Sequence, residues 1–282
     1  MPMTSPALQD IIALFGCPAA GNPAQYLFEH GIERAIEEGG LDWRFVSVDV
    51  AVERLGEALA GAAAMGFRGC LLDGSLRIAA LPLVSATPAA AFAGAASLVD
   101  RGADGWVAHM TDGRGIVEAV RSHVEPAERR VLILGAGPCG RAAALEFAMA
   151  GAAGIVVCDP DEARVESLVT SLRALETAVT VERGSWPKIL VPEEVRIVVS
   201  SFDQPVAEMS LEHLRPDLVV AEAVLSPEPA SVGRQALAAG ACLVDGLEIH
   251  ATRSAIDFRQ VTGLAADADL LRDALDEFLS AP

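Results

Sequence analysis

Apolar residues recur along this chain in two rhythms, and their alternation predicts the architecture. Ile11 to Gly16 is a continuous apolar run of strand length, and Ala24 to Glu38 carries Leu27, Ile32 and Ala35 at helical spacing. Arg44 to Val50 alternates Val46, Val48 and Val50 with Ser47 and Asp49, which predicts a strand with one apolar face. An amphipathic helix over 52–65 and a strand over 70–72 follow, completing β-α-β-α-β. Residues 79–105 are Ala-rich and ambiguous, with Pro82 and Pro88 breaking any long helix. Trp106 to His109 is a strand candidate, and Thr111 to Val124 predicts a helix opened by Thr111 or Asp112 and closed by Pro126.

The second half repeats the alternation around one stretch, RVLILGAGPCGRAAALEFAMAGAAGIVVCD, from Arg130 to Asp159. A strand over 130–134 runs into Gly135-Ala136-Gly137-Pro138-Cys139-Gly140, which fits G-x-G-x-x-G, and an Ala-rich helix follows up to Gly151. A strand over 155–158 then ends on Asp159, placed where an acid meets an adenosine ribose. The glycines have distinct physical roles, since Gly135 permits the turn, Gly137 admits a diphosphate, and Gly140 lets helix and strand approach. The helix N-terminus would hold the diphosphate through free N–H groups and its dipole. Further on, a helix over 162–175, strands over 178–181, 197–200 and 218–221, a helix over 230–239 and a strand over 242–244 complete a doubly wound unit, with Ser200 at a strand end as an added cofactor contact. Two helices, over 249–258 and 267–279, close the chain. The expected organisation is an α/β substrate domain with a largely parallel sheet over 1–124, a Rossmann-type NAD-binding domain over 125–248, closing helices over 249–282, and a cleft between the domains.

Composition narrows the function. With 282 residues and 52% hydrophobic residues the chain can form two cores. A net charge of −18 disfavours nucleic acid and anionic membranes as partners. Apolar runs are short and no signal-peptide layout precedes them, so the expectation is a cytoplasmic protein with a small-molecule substrate. Oligomeric state, including a homodimer, is left open. Cys17, Cys70, Cys139, Cys158 and Cys242 are scattered singly, with no spacing for a disulfide framework or a metal, and there is no G-x-S-x-G or Cys-His signature of a hydrolase. Of 21 basic residues only Lys188 is a lysine, so chemistry that needs a deprotonatable amine has one candidate.

Several segments together resemble the shikimate/quinate dehydrogenases: Phe15-Gly16-Cys17-Pro18, Gly66-Phe67-Arg68-Gly69, Thr111-Asp112-Gly113-Arg114-Gly115, the glycine turn, and Phe258 with Thr262-Gly263. Val157-Cys158-Asp159-Pro160-Asp161 resembles the NAD-preferring branch, whereas the NADP-dependent branch has a basic, hydroxyl-rich segment there. The resemblance implies hydride transfer between NAD and a secondary alcohol or its ketone, shikimate-like or another cyclic hydroxy acid. It also exposes departures. The two serines that hold the substrate carboxylate in the family are Asn22 and Ala24 here, and N-V-T-x-P-x-K becomes Leu71-Leu72-Asp73-Gly74-Ser75-Leu76-Arg77. The family's catalytic lysine therefore falls on Arg77, the asparagine of its N-T-D falls on Met110, and a substrate-binding glutamine falls on Arg253.

Individual residues carry two readings each. Asp112 is either a catalytic carboxylate or a helix cap. Arg77 is either a substrate anchor, its planar fork suiting a carboxylate, or a solvated arginine. His109 is the imidazole nearest the expected cleft, with a structural role as the competing reading. Asn22, Arg253, Thr111 and His109 are candidates for a polar substrate pocket. A guanidinium stays charged at neutral pH, so proton transfer is expected from Asp112, His109 or a water they hold. The rival to an enzyme is a catalytically impaired NAD-binding protein acting as a sensor or partner.

Overall fold

The computed structural model describes residues 10–37, 42–202, 204, 206 and 209–280. The first half runs β1 (Ile11–Gly16), α1 (Ala24–Glu37), β2 (Arg44–Asp49), α2 (Leu55–Ala64), β3 (Gly69–Leu72), α3 (Leu76–Ala79), β4 (Ser85–Ala86), α4 (Pro88–Ala93), β5 (Leu98–Gly102), β6 (Gly105–His109) and α5 (Asp112–Arg121). The second half runs β7 (Arg130–Leu134), α6 (Pro138–Met149), β8 (Gly154–Cys158), α7 (Glu162–Arg173), β9 (Thr180–Arg183), β10 (Lys188–Leu190), β11 (Val195–Ser200), β12 (Ser210–Glu212), β13 (Val219–Glu222), α8 (Ser231–Ala238) and β14 (Cys242–Val244). Helices α9 (Gly246–Thr262) and α10 (Ala268–Ser280) follow.

The first sheet has the order β2-β1-β3-β5-β6-β4. Strand β1 pairs in parallel with β2 and β3, as the β-α-β rhythm predicts. Strands β3, β5 and β6 pair antiparallel, a mixed edge that the Ala-rich stretch concealed because alanine marks neither period. In β2 the alternation did not select a buried face: Val46 and Val48 are 36% and 37% exposed, because this strand forms the sheet edge. The second sheet is wholly parallel, ordered β14-β13-β11-β7-β8-β9. The order in which successive strands are added reverses between β7 and β11, the switch point at which doubly wound sheets place ligands. A small sheet of β10 and β12 lies outside it.

Two packing features bring the halves against one another. Ile116, Val117 and Val120 of α5 join the core of the second sheet with Ile133 and Phe147. Phe258 and Val261 of α9 pack with Ile12, Leu14 and Phe28 in the core of the first. Helix α9 starts earlier than the apolar pattern indicates: Asp245 caps it by accepting from Glu248 N at 2.9 Å. This long helix, braced on both sheets, carries His250 and Arg253 to the cleft and Asp257 buried behind it. No helix among the described residues is long and apolar enough to cross a membrane.

Candidate active site

One wall of the cleft is backbone. After β7 the chain turns at Gly135, whose φ of +101° is the left-handed region that glycine tolerates. At Gly140 an added Cβ would strike the Gly135 carbonyl, so helix and strand meet at a distance only glycine allows. Ser201 braces the turn, its hydroxyl lying 2.9 Å from Leu134 O and 3.1 Å from Gly135 O. Gly137, by contrast, faces open space, at the N-cap of α6. Pro138 occupies the first turn without an N–H to satisfy, and the amides of Cys139 and Gly140 stand at the positive end of the helix. These features fit a dinucleotide diphosphate.

Asp159 is buried at the end of β8 and organises the same turn. Its Oδ2 accepts from Ala136 N at 2.6 Å and its Oδ1 from Asp161 N at 2.8 Å. Each oxygen keeps a further lone pair. Asp161 caps α7, accepting from Ala163 N and Arg164 N. Ser200 is buried at the end of β11, and its neighbour Ser201 is the serine that reaches the glycine turn.

The other wall is made of side chains. A cleft of about 450 Å³ is lined by Asn22, Asp73, Arg77, Ser97, His250 and Arg253, together with Pro138 and Cys139 of the glycine turn. The dinucleotide wall and the polar wall thus share one cavity. Beside it a recess of about 50 Å³ holds Asp112. Asp112 takes Arg77 on Oδ2, and Arg253 on Oδ1 at 3.3 Å. The two arginines come from α3 and α9, elements far apart in sequence, and the head of α5 joins them. Across the cleft, Asn22 donates to Asp73 Oδ2 at 2.9 Å, while its own Oδ1 accepts from Ala24 N at 2.9 Å.

The charges of this cluster are set by burial and pairing. Burial acts to raise the Asp112 carboxyl, but the adjacent Arg77 and Arg253 charges overcome it and hold the group at about 2. Asp112 is therefore an anion with both oxygens committed to guanidinium groups, which makes it a weak base. Burial pushes Asp257 up to about 6, against the opposing pull of Arg253 and of the Thr111 hydroxyl. Burial, reinforced by the charge of Arg253, lowers His250 to about 4, so its ring is neutral, with Nε2 3.1 Å from Ala223 O.

Two of the candidate substrate residues lie elsewhere than beside Arg77. Thr111 is buried, with its hydroxyl 2.6 Å from Asp257 and 2.8 Å from Ser97. His109 lies at the end of β6, with Nε2 2.9 Å from Asp100, and is absent from the residues lining the cleft and its recess. Lys188 is exposed on β10. Four polar residues at the site escaped the sequence analysis: Ser97 and Asp73 because an isolated Ser or Asp in a loop has no signature, and His250 and Asp257 because their significance depends on the face α9 turns to the cleft. The spacing of Arg253 and Asp257, one helical turn apart, was the only available hint.

A Rossmann-ordered sheet, a glycine turn open to a diphosphate and a polar cleft on the same switch point define a dinucleotide-binding class of fold. No protein-family model matches the chain. Whole-chain relatives do match. The chain is 30% identical to shikimate dehydrogenase (NADP(+)) of Halobacterium salinarum over 260 residues, covering 90% of this chain and 96% of that one. It is 32% identical to the enzyme of the same name from Citrifermentans bemidjiense over 265 residues, covering 88% and 89%. The chain belongs to the shikimate dehydrogenase family, and it is a nicotinamide-dinucleotide-dependent dehydrogenase of that type. Among solved structures, 5-ketofructose reductase of Gluconobacter sp. strain CHM43 superposes with a TM-score of 0.87 at 28% identity, covering 96% of this chain and 99% of that one. Shikimate 5-dehydrogenase of Thermus thermophilus, in complex with shikimate, shares the fold with a TM-score of 0.80 at 24% identity, covering 97% and 100%.

Proposed function

We propose that this protein moves hydride between NAD, in preference to NADP, and a small uncharged polyhydroxylated ketone or its alcohol, with shikimate a poor substrate. The observation that carries this reading is the charge balance of the cleft: both arginines are drawn onto Asp112, while a further carboxylate, Asp73, lines the wall beside Asn22 and Ala24. A substrate carboxylate would meet Asp73 there, whereas hydroxyl groups would find an acceptor. The likeness to a 5-ketofructose reductase supports the same substrate class.

Bound nicotinamide supplies the hydride donor or acceptor. Arg77 orients the reacting oxygen and stabilises the negative charge that develops on it, as a fixed cation in a partly enclosed site does. Asp112 keeps Arg77 and Arg253 in place. The preference for NAD rests on Asp159, Asp161 and Glu162, which would repel a 2′-phosphate, and on Arg164, which is engaged with Asp161 at 3.4 Å. No observation favours the alternative of a catalytically impaired sensor.

The test is NADH and NADPH oxidation by the purified protein with a panel containing 5-ketofructose, other polyhydroxy ketones and carboxylated cyclic ketones. The expected result is turnover of an uncharged member, with kcat/KM higher for NADH. Turnover confined to carboxylated members would refute the substrate class, and a preference for NADPH would remove Asp159 from its role.

A further inference from the structure

Replacing the family lysine by Arg77 leaves the reaction without an obvious proton store. Arg77 does not deprotonate, Asp112 is an ionised partner of two arginines, and the neutral ring of His250 is engaged with a backbone carbonyl. A different route leads out of the cleft. Ser97 lines it; the Ser97 and Thr111 hydroxyl oxygens are 2.8 Å apart, and Thr111 Oγ1 donates to Asp257 Oδ1 at 2.6 Å. Asp257 itself is 1% exposed, so this pair of hydroxyls is what connects it to the cleft.

The hydrogen-bond roles along this line can all be met together, with the Ser97 hydroxyl directed at Thr111 Oγ1, 2.8 Å away, over its more distant acceptor, His109 O at 3.4 Å. Thr111 donates to the Asp257 carboxylate, so its lone pairs accept from the Ser97 hydroxyl. Ser97 Oγ accepts from Thr111 N at 3.0 Å and retains one lone pair. A substrate hydroxyl is the group that would complete the line from the cleft side. Arg253 faces Asp257 from one turn earlier on α9, with Nε 3.7 Å from Oδ2 and no hydrogen bond between them. Asp112, from the head of α5, and Arg77, from α3, are the other charges acting on Asp257.

Resting on the proposed hydride chemistry, we infer that Asp257 is the proton store of the reaction, exchanging its proton with the substrate oxygen through Thr111 and Ser97. In the oxidation direction the carbinol C–H bond breaks as hydride passes to the oxidised nicotinamide dinucleotide. The substrate O–H proton moves to Ser97, the Ser97 proton to Thr111 and the Thr111 proton to Asp257. The products are a ketone, the reduced dinucleotide and a protonated Asp257, which returns its proton along the same hydroxyls to water in the emptied cleft. Reduction runs the sequence backwards from protonated Asp257. A raised carboxyl near 6 suits both directions, because neither protonation state is costly at neutral pH.

Two measurements test this. In the protein without cofactor, infrared difference spectra across pH 4–8 should show a protonated-carboxyl band that titrates near pH 6 and is missing from Asp257→Asn; absence of the band in the parent protein overturns the inference. With 5-ketofructose and NADH, Thr111→Val and Asp257→Asn should lower kcat by roughly 10²-fold, the scale of lost acid–base catalysis, and abolish the decline of kcat above pH 6. Thr111→Ser, which keeps the hydroxyl, should retain most of the rate. If the parent enzyme turns over and Thr111→Val keeps both its rate and its pH limb, the relay is wrong while the substrate reading stands. A parent that reduces no ketone in the panel refutes the substrate reading itself, and the relay with it.

Discussion

The glycine turn and the arginine cluster line the same cleft, yet they belong to different kinds of site. The dinucleotide wall is written in backbone: a left-handed Gly135, a crowded Gly140, an open Gly137 and an acid, Asp159, that ties two backbone amides together. The substrate wall is written in side chains from α3, α5 and α9, held by ion pairs. A backbone site tolerates little change, since any side chain there collides or fills the ligand's space. A side-chain site is rewritten one residue at a time, provided that buried charges remain paired. The resemblance to the shikimate dehydrogenases implies both outcomes: a matching glycine turn, and a substrate side on which the lysine and a serine of that family fall on Arg77 and Asn22.

The sharpest way to break the substrate wall is Asp112→Asn. It leaves two guanidinium groups sharing a neutral amide in a recess with little solvent, so stability should fall by about 3 kcal/mol, the cost of removing one partner from a buried pair. Once a substrate is in hand, kcat should fall by roughly 10²-fold as Arg77 loses its position, while NAD affinity barely changes. Chemical denaturation, steady-state kinetics and NAD titration check the three parts. Unchanged turnover would leave Asp112 as a structural partner of the two arginines.

The dinucleotide wall breaks in the opposite manner. Gly137→Val places a side chain in open space on a backbone that accepts it, so the melting temperature should hold within a few degrees. Its branched side chain fills the space assigned to the diphosphate, and NAD affinity should fall by at least tenfold. Titration calorimetry with the variant reads this directly; undiminished binding would move the diphosphate away from the turn.

A smaller effect tests the electrostatics of α9. His250, lowered to about 4, favours folding when neutral, a contribution present above pH 6.5 and lost as pH falls toward 4. Asp257, raised to about 6, works in the other sense: the folded state holds its proton more tightly, so its contribution grows as pH falls from 6 toward 3.8. In the parent protein the two trends oppose each other. Asp257→Asn removes one, so that variant should lose on the order of 2 kcal/mol more than the parent between pH 6.5 and pH 4, from shifts worth about 1.4 kcal/mol per pH unit. Thermal melts of both proteins across that range measure the difference, and parallel curves would contradict it.

What was legible in the sequence follows the same division. Gly135 to Gly140, the strand before them and Asp159 are contiguous or nearly so, and their spacing is dictated by backbone geometry, which a sequence displays. The β-α-β rhythm of the first half was also visible, because β1 and β3 are continuous buried apolar runs and α1 and α2 each bury one apolar stripe. Strand β5 was hidden behind the Ala-rich stretch, whereas β6 was expected over 106–109 without its antiparallel pairing. The recess around Asp112 draws Arg77 and Arg253 from 35 and 141 positions away, and the Thr111–Asp257 contact spans 146 positions. No local pattern encodes such encounters; they depend on how α9 lies across both sheets. His109 shows the converse, since nearness in sequence to Asp112 did not bring its side chain to the cleft.

The claim on which the rest depends is that this cleft selects an uncharged polyhydroxylated substrate in place of a carboxylate. The most direct measurement is kcat/KM of the parent enzyme for 5-ketofructose reduction by NADH against that for shikimate oxidation by NAD, each determined at its own pH optimum. The account predicts a value at least 10²-fold higher for 5-ketofructose, the scale expected when several hydrogen-bond partners worth about 1–3 kcal/mol each are missing for the carboxylate substrate. Equal values, or a preference for shikimate, would contradict it.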